Sequence, residues 1–376
     1  MTTQDLPPVG LYVHIPWCVR KCPYCDFNSH EDRNPPFTAY GQHLCDDLTA
    51  DAHFLGNRRF QSVFFGGGTP SLMPPDALAP LFDRLHQNHW IDDTTEITLE
   101  ANPGTLDLGH FAGYRALGVN RLSIGVQTFH ADGLARLGRI HSGTDAVQTI
   151  ESAQALGFPR INVDLMHSLP GQTASDALRD LEIALGLGVQ HLSWYQLTIE
   201  PNTVFHKHPP TLPSESDLEQ IDEIGHETLA IAGLRQYEVS AFAVPGHEAR
   251  HNVLYWEFGD YLGLGAGAHG KITTQHGPMR STRTRIPHHY LSRACADAHW
   301  QPIEARLIGF ECLLNGLRLR RGLSAEDFET RTGLNAHDFR HQYLTRADTL
   351  GLLEPGRFQA TELGWRHLNT VLEMLI

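Results

Sequence analysis

Cysteine is scarce in this chain, six in 376 residues, too few for a disulfide scaffold. Basic residues are also short, 29 Lys and Arg against 43 Asp and Glu, for a formal charge of −14. Such a field repels phosphate backbones and disfavours nucleic-acid binding across the surface. No run approaches the ~18 apolar residues of a membrane span. The opening Met-Thr-Thr-Gln-Asp-Leu-Pro-Pro has neither the basic nor the apolar region of a secretory signal. A cytoplasmic protein with reduced thiols is the expectation. What is present is a 41% hydrophobic share, enough for a sizeable core. At roughly 150 residues per domain, the length suggests two or three domains, or one barrel-like unit with an appendage.

Strand-like runs recur through the first two-thirds: 11–14, 62–65, 96–100, 121–126, 161–165 and 191–195. Between them lie segments of helical period. One is Thr144–Leu156, with Val147, Ile150, Ala153 and Leu156 on one face and Gly157 as its stop. Another is Ser175–Gly186, with Leu178, Leu181 and Leu185. Six strand-then-helix units argue for parallel α/β construction, fewer than the eight of a closed barrel. A partial (βα)6 barrel over 1–235 is expected, followed by an extension over 236–300 and a C-terminal α+β, winged-helix-like unit over 301–376. In the extension, Tyr237–Phe242 reads as a strand, 259–270 as a Gly/His-rich loop and Thr282–Pro287 as a polar linker. The C-terminal unit reads as helix, helix, short hairpin and helix, with a strand-like Arg357–Ala360 before the final helix over 361–376.

Three of the cysteines fall in Cys18-Val-Arg-Lys-Cys22-Pro-Tyr-Cys25, directly after the first expected strand; Cys45, Cys295 and Cys312 are scattered. A tight group in a large chain reads as metal-binding or redox-active. The C-x3-C-x2-C spacing suits three ligands of a 4Fe–4S cluster whose fourth iron keeps an exchangeable position. A zinc site would want a fourth donor, for which His14 and His30 are near in sequence. Cys22-Pro-Tyr-Cys25 alone also has the form of a redox C-x-x-C pair.

This motif and its place resemble the radical S-adenosylmethionine (SAM) superfamily. The likeness is closest to the branch holding oxygen-independent coproporphyrinogen III oxidase and the HemW haem chaperones, and it covers nearly the whole chain. It implies that SAM chelates the open iron, with cluster and cofactor carrying any radical chemistry. Gly66-Gly-Gly-Thr-Pro70 lacks the Lys-Ser/Thr of a phosphate loop, but its glycines permit close backbone approach to a ligand. The resemblance implies that Gly67, Gly68 and Thr69 line the SAM amino-acid moiety. Glu100, Gln127 and Asp164 fall near the C-terminal ends of expected strands, where barrel ligands bind, and Arg139 follows a short helix. Acceptors for ribose and ammonium and a cation for the carboxylate are what SAM needs. In family order, these residues with Tyr12 and Tyr24 look like the SAM-binding set.

Two departures separate the branches. The oxidases carry a further cysteine two residues after the third cluster cysteine, where this chain has Phe27, and an N-terminal extension that precedes no cluster here. Arg250-His-Asn-Val-Leu-Tyr-Trp256 resembles the His-Asn-x-x-Tyr-Trp motif of the chaperone family, which implies His251 as a haem ligand and Tyr255 and Trp256 as partners of a porphyrin face. Read by itself, His251 is one of 24 histidines and has the ordinary role of a hydrogen-bonded structural residue, and His269 is its rival. The resemblance thus implies a haem carrier with no catalytic residue, delivering to apo-haemoproteins such as membrane respiratory enzymes. A homodimer and peripheral contact with the inner membrane through partners are compatible with it. A radical SAM enzyme acting on a tetrapyrrole is the alternative.

Overall fold

Polar and apolar side chains alternate along the central strands, and that alternation decides what each face of the sheet does. The computed structural model describes residues 6–104, 108–293 and 298–375; Cys295 lies outside them. Its strands are β1 (Val9–Ile15), β2 (Trp17–Cys18), β3 (His30–Glu31), β4 (Phe60–Gly67), β5 (Glu96–Ala101), β6 (Arg121–Gln127) and β7 (Arg160–His167). They continue with β8 (His191–Gln196), β9 (Arg235–Glu238), β10 (Ala241–Ala243), β11 (Asp260–Leu264), β12 (His269–Thr274), β13 (Gly277–Thr282) and β14 (His299–Pro302). Twelve of them form one sheet in the order β14-β13-β12-β11-β1-β4-β5-β6-β7-β8-β10-β9. The six strands expected from sequence are its parallel centre, β1 and β4 to β8. β14 and β9 are separate edges, so the sheet stays open.

Leu11, Val13, Val63, Phe65, Ile97, Leu99, Leu122, Ile124, Val163 and Leu192 point to the helix-covered face and join one core. That core takes in Leu44 and Leu48 of α1 (Phe37–Asp51), Leu78 and Leu81 of α2 (Pro75–Gln87), and Phe111 of α3 (Leu108–Leu117). After α4 (Ala131–Arg136) come α5 (Gly143–Ala155) and α6 (Ala174–Gly186), and both have capping boxes, from Ser142 with Asp145 and Thr173 with Asp176. The opposite face carries Tyr12, Ser62, Thr98, Glu100, Ser123, Asn162, Asp164 and Ser193 at alternate positions. A parallel sheet covered by helices on both faces reads apolar throughout. Here one face is polar, so it lines a site.

Residues 236–300 extend this same sheet at both edges. The expected strand over 237–242 is a hairpin, β9 and β10, turning at Val239 and Ser240, with β10 antiparallel to β8. After α7 (Val204–Lys207), α8 (Glu215–Ile231) and α9 (Arg250–Trp256), the expected Gly/His-rich loop is instead two strands. β11 is fully buried and parallel to β1, and β12 returns antiparallel. Glycine misled the sequence reading: Gly263 sits inside a strand because a Cβ there would overlap the backbone of His269. Thr282–Pro287 is no free linker either. Arg283 is buried and ion-paired with Asp47 and Asp51 of α1, and its Nε donates to Gly263 O at 2.7 Å.

After α10 (Pro287–Leu291), the C-terminal helices are α11 (Ala305–Gly316), α12 (Ala325–Thr332), α13 (Ala336–Tyr343), α14 (Thr345–Thr349), α15 (Glu362–Arg366) and α16 (Leu368–Glu373). Phe328, Phe339, Leu344, Leu352, Leu353 and Phe358 supply their separate core. Antiparallel bridges Leu323–Phe358 and Leu353–Ala360 make the short hairpin element. The final helix is two pieces, broken at His367. Val239 N donates to Arg318 O and Arg320 N to Tyr237 O, tying this unit to β9.

Candidate functional site

Cys18 ends β2, and β2 pairs with β3 so that the intervening segment closes into a loop presenting Cys22 and Cys25. Lys21 braces that loop, with Nζ donating to Phe27 O at 2.9 Å and Ser29 O at 3.2 Å. Cys18, Cys22 and Cys25 all line one cavity of about 570 Å³. Each has a polar neighbour: Thr69 Oγ1 at 3.6 Å from Cys18, Arg139 Nη1 at 3.7 Å from Cys22, and Ser29 Oγ at 3.7 Å from Cys25. Burial pushes the Cys18 thiol up, and the Thr69 hydroxyl opposes it. Zinc needs donors converging on a single ion; among the described residues no group of three His, Cys, Asp or Glu side chains does so. Three cysteines lining one cavity suit a cluster that offers several irons.

The glycine turn continues β4 beneath them. Gly67 has φ of +118°, a conformation that a side chain would strain. Gly68 N donates to Ile15 O and Thr69 N to Trp17 O, both at 2.8 Å, so the turn is laced to the strand leading to Cys18. A Cβ on Gly68 would meet the Trp17 carbonyl at 2.6 Å. The cavity wall then runs through a bonded chain. Asn102 Nδ2 donates to Thr69 Oγ1 at 2.9 Å, and Arg139 Nη2 donates to Asn102 Oδ1 at 2.6 Å and to Gly125 O at 2.7 Å.

Carboxylates face this chain. Glu100 accepts from Gly67 N at 3.1 Å, and burial, with Asp164 adding to it, pushes its carboxyl up to about 8. Asp164 accepts from Asn162 at 2.7 Å and Ser123 at 3.1 Å; burial still raises it. Gln127 accepts from the Tyr195 hydroxyl at 2.9 Å. Burial raises the Tyr24 phenol beside the cysteines.

Of the residues expected from sequence, Cys18, Cys22, Cys25, Tyr24, Gly67, Gly68, Thr69, Glu100, Gln127, Arg139 and Asp164 share this cavity's wall. Tyr12 does not. Its hydroxyl is 2.8 Å from His14 Nδ1 and its ring stacks on Phe64, behind the wall. Asn102, Ser123, Ser193 and Tyr195 line the cavity and were missed. Three of them lie on strands, two residues from another inward polar position, so the period-two alternation carried the signal.

Across the cavity, Glu238, Val239, Ser240, Asn252 and Trp256 form the far wall. Burial lifts the Glu238 carboxyl to about 7, against the Ser240 amide. Of the His-Asn-x-x-Tyr-Trp residues, Asn252 and Trp256 reach the cavity, one helical turn apart. Tyr255 packs on Trp256 and Tyr261 instead, with ring centroids 5.2 and 5.4 Å away. His251 turns toward the sheet: Nδ1 lies 3.0 Å from Ser62 Oγ, and the ring stacks on Phe64 at 4.8 Å. Burial, with the Arg121 charge adding to it, lowers its pKa to about 3, so the imidazole is neutral. His269 is exposed at the start of β12.

The Radical SAM superfamily model matches residues 12–184, and the HemN C-terminal domain model matches 305–367. The chain is 45% identical over 375 residues to "Heme chaperone HemW" of Escherichia coli (strain K12), covering 99% of both. It is 43% identical over 380 residues to the protein of that name from Haemophilus influenzae, covering 99% of this chain and 98% of that one. Among solved structures, Escherichia coli coproporphyrinogen III oxidase (HemN), described as a radical SAM enzyme, superposes with a TM-score of 0.83. That match covers 100% of this chain and 91% of the other at 22% identity, a likeness of fold.

Proposed function

The chain belongs to the HemW family of radical SAM proteins, and from that premise we propose that it is a haem chaperone, binding haem and passing it to apo-haemoproteins. The full-length identity of 45% to a protein named as such a chaperone carries this reading. Phe27 supports it, standing at the cavity rim where the oxidase branch has its further cysteine.

In this reading Cys18, Cys22 and Cys25 hold a 4Fe–4S cluster, and Gly67, Gly68, Thr69, Glu100, Gln127, Arg139 and Asp164 hold SAM, with Tyr24 packed beside the cluster. Bound there, the cluster supplies one-electron chemistry and an open iron for SAM. The protein's own share is placement. Arg139 offers a guanidinium for the SAM carboxylate, already aimed by Asn102 and Gly125. Glu100, protonated near neutrality, offers a donor as well as an acceptor.

His251 fits a haem ligand in two respects: it is neutral, and Ser62 holds one ring nitrogen, which orients the other. Its ring also stacks on Phe64 of β4. The recipients in this reading are apo-haemoproteins, including respiratory enzymes at a membrane. No helix among the described residues is long and apolar enough to cross a membrane, so in this reading contact runs through the partner.

The test is a side-by-side assay on anaerobically reconstituted protein, measuring haem binding and transfer to an apo-globin against coproporphyrinogen decarboxylation. Haem uptake and transfer without decarboxylation is expected. Decarboxylation with release of 5′-deoxyadenosine and no haem transfer would replace the chaperone with an enzyme acting on a tetrapyrrole.

A further inference from the structure

A guanidinium only donates hydrogen bonds, and that of Arg139 heads a chain in the cavity wall that ends on the Cys18 sulfur. Nη2 of Arg139 lies 2.6 Å from one end of the Asn102 side-chain amide. That end is therefore the carbonyl, and the other end, 2.9 Å from Thr69 Oγ1, is the NH2 group. Because Thr69 Oγ1 accepts from Asn102, its own single proton points elsewhere. Thr69 is 3% exposed, and Cys18 Sγ lies 3.6 Å away to accept that proton. The sense of each bond is dictated in turn, from Arg139 to the sulfur.

The same amide steadies a second donor. Both Nη2 protons of Arg139 are committed, one to Asn102 Oδ1 and the other to Gly125 O at 2.7 Å. Nη1 is thereby held 3.7 Å from Cys22 Sγ. A Cβ on Gly125 would come 2.8 Å from Asn102 Oδ1, so the amide is fitted closely against β6. One side chain, just beyond the end of β5, thus orients an O–H toward Cys18 and an N–H toward Cys22.

Hydrogen bonds donated to the sulfurs of an iron–sulfur cluster favour its reduced, more negative state and raise its potential. We infer that Asn102 is a positioning residue that sets the reduction potential of the cluster, by fixing the donors aimed at Cys18 and Cys22. This rests on the assignment of the three cysteines as cluster ligands. Asn102 acts through Thr69 and Arg139, and only an amide serves both. An aspartate would still accept from Arg139 but could not donate to Thr69. The Thr69 proton would turn to the carboxylate, and Cys18 would lose its bond. An alanine would leave Thr69 free to donate to Cys18 and would release Arg139 from one of its two anchors. Aspartate, closer in shape to asparagine, is therefore the more disruptive change.

The experiment compares wild type with Asn102→Asp, Asn102→Ala, Thr69→Val, Thr69→Ser and the double variant Asn102→Asp/Thr69→Val. Each is reconstituted anaerobically without SAM, and iron and sulfide per chain are measured. The midpoint potential is then read by redox titration of the reduced cluster's electron paramagnetic resonance signal. It should fall in Asn102→Asp and in Thr69→Val, fall less in Asn102→Ala, and stay near wild type in Thr69→Ser, which keeps the hydroxyl. Asn102→Asp already turns the Thr69 proton away, so the double variant should shift by well under the sum of the two single changes. An unchanged potential in Asn102→Asp overturns the inference. So does an additive double variant, which would mean that the aspartate charge acts on the cluster directly. If Asn102→Asp takes up no cluster, a wild-type potential in Asn102→Ala, or equal potentials in Thr69→Val and Thr69→Ser, overturns it instead. A wild-type protein that takes up no iron removes the cluster reading and this inference together, whereas iron in wild type with a potential indifferent to Asn102 removes this inference alone.

Discussion

On the cysteine side of the cavity, Thr69, Asn102 and Arg139 are bonded to one another, to Gly125, and toward the sulfurs of Cys18 and Cys22. On the α9 side, Asn252 and Trp256 line the cavity while the neighbouring His251 ring is packed against Phe64. Arg318 sits 5.6 Å over the Trp256 ring, and Arg321 pairs with Glu257 at the end of α9. The first wall is held by its own hydrogen bonds, which lowers the ordering cost of a small cofactor. The second is held by a seven-residue helix and two arginines from another unit.

That contrast is broken most directly at the sulfurs. Replacing Cys18, Cys22 and Cys25 together by alanine should reduce iron and sulfide to background in reconstituted protein; retained stoichiometric iron would mean that the cysteine wall is not a cluster site. Arg139→Ala comes next. It removes a guanidinium already aimed at the cavity, and charge-assisted hydrogen bonds are worth about 1.5–3 kcal/mol, so SAM should bind roughly ten- to a hundredfold more weakly. A change under about threefold would show that the pre-set chain is not used for SAM.

A smaller effect sharpens the same comparison through pH. The Glu100 carboxyl is raised by burial, and further by Asp164, from 4.5 to about 8. Between those values the folded protein holds a proton that the unfolded chain has lost. Stability of the cofactor-free protein should therefore fall as pH rises through that window. Glu100→Gln removes the dependence, so its melting temperature should gain on wild type between pH 5 and pH 8; parallel curves would contradict the buried, protonated state. On the far wall, Trp256→Phe keeps an aromatic ring and should leave iron and SAM unchanged while weakening haem by no more than about 1–2 kcal/mol.

Much of the cysteine wall was legible in sequence because its residues are local to strand ends: Cys18 to Cys25 after β1, Gly67 to Thr69 at the end of β4, and Glu100, Gln127 and Asp164 on neighbouring strands. Period-two alternation places such residues on one face without knowledge of the rest of the fold. The far wall was not legible in this way. His251, Asn252, Tyr255 and Trp256 are adjacent in sequence, and only the docking of α9 decides that Asn252 and Trp256 face the cavity while His251 faces Ser62. Glycine and arginine misled for a related reason. Gly263 reads as a loop until His269 packs against it, and Arg283 reads as solvent-facing until Asp47 and Asp51 of α1 pair with it. Tyr12 has the right strand and face, but its hydroxyl is taken by His14.

The division of labour between the two walls is tested most directly by crossing two measurements on the same preparations. Haem affinity and iron content are determined for wild type, for the triple cysteine-to-alanine variant and for His251→Ala. The triple variant should lose iron and keep haem affinity within about threefold, while His251→Ala should keep iron and bind haem at least about tenfold more weakly with an altered Soret band. Loss of haem binding together with the cysteines, or undiminished haem affinity in His251→Ala, would contradict the assignment of cofactor to one wall and cargo to the other.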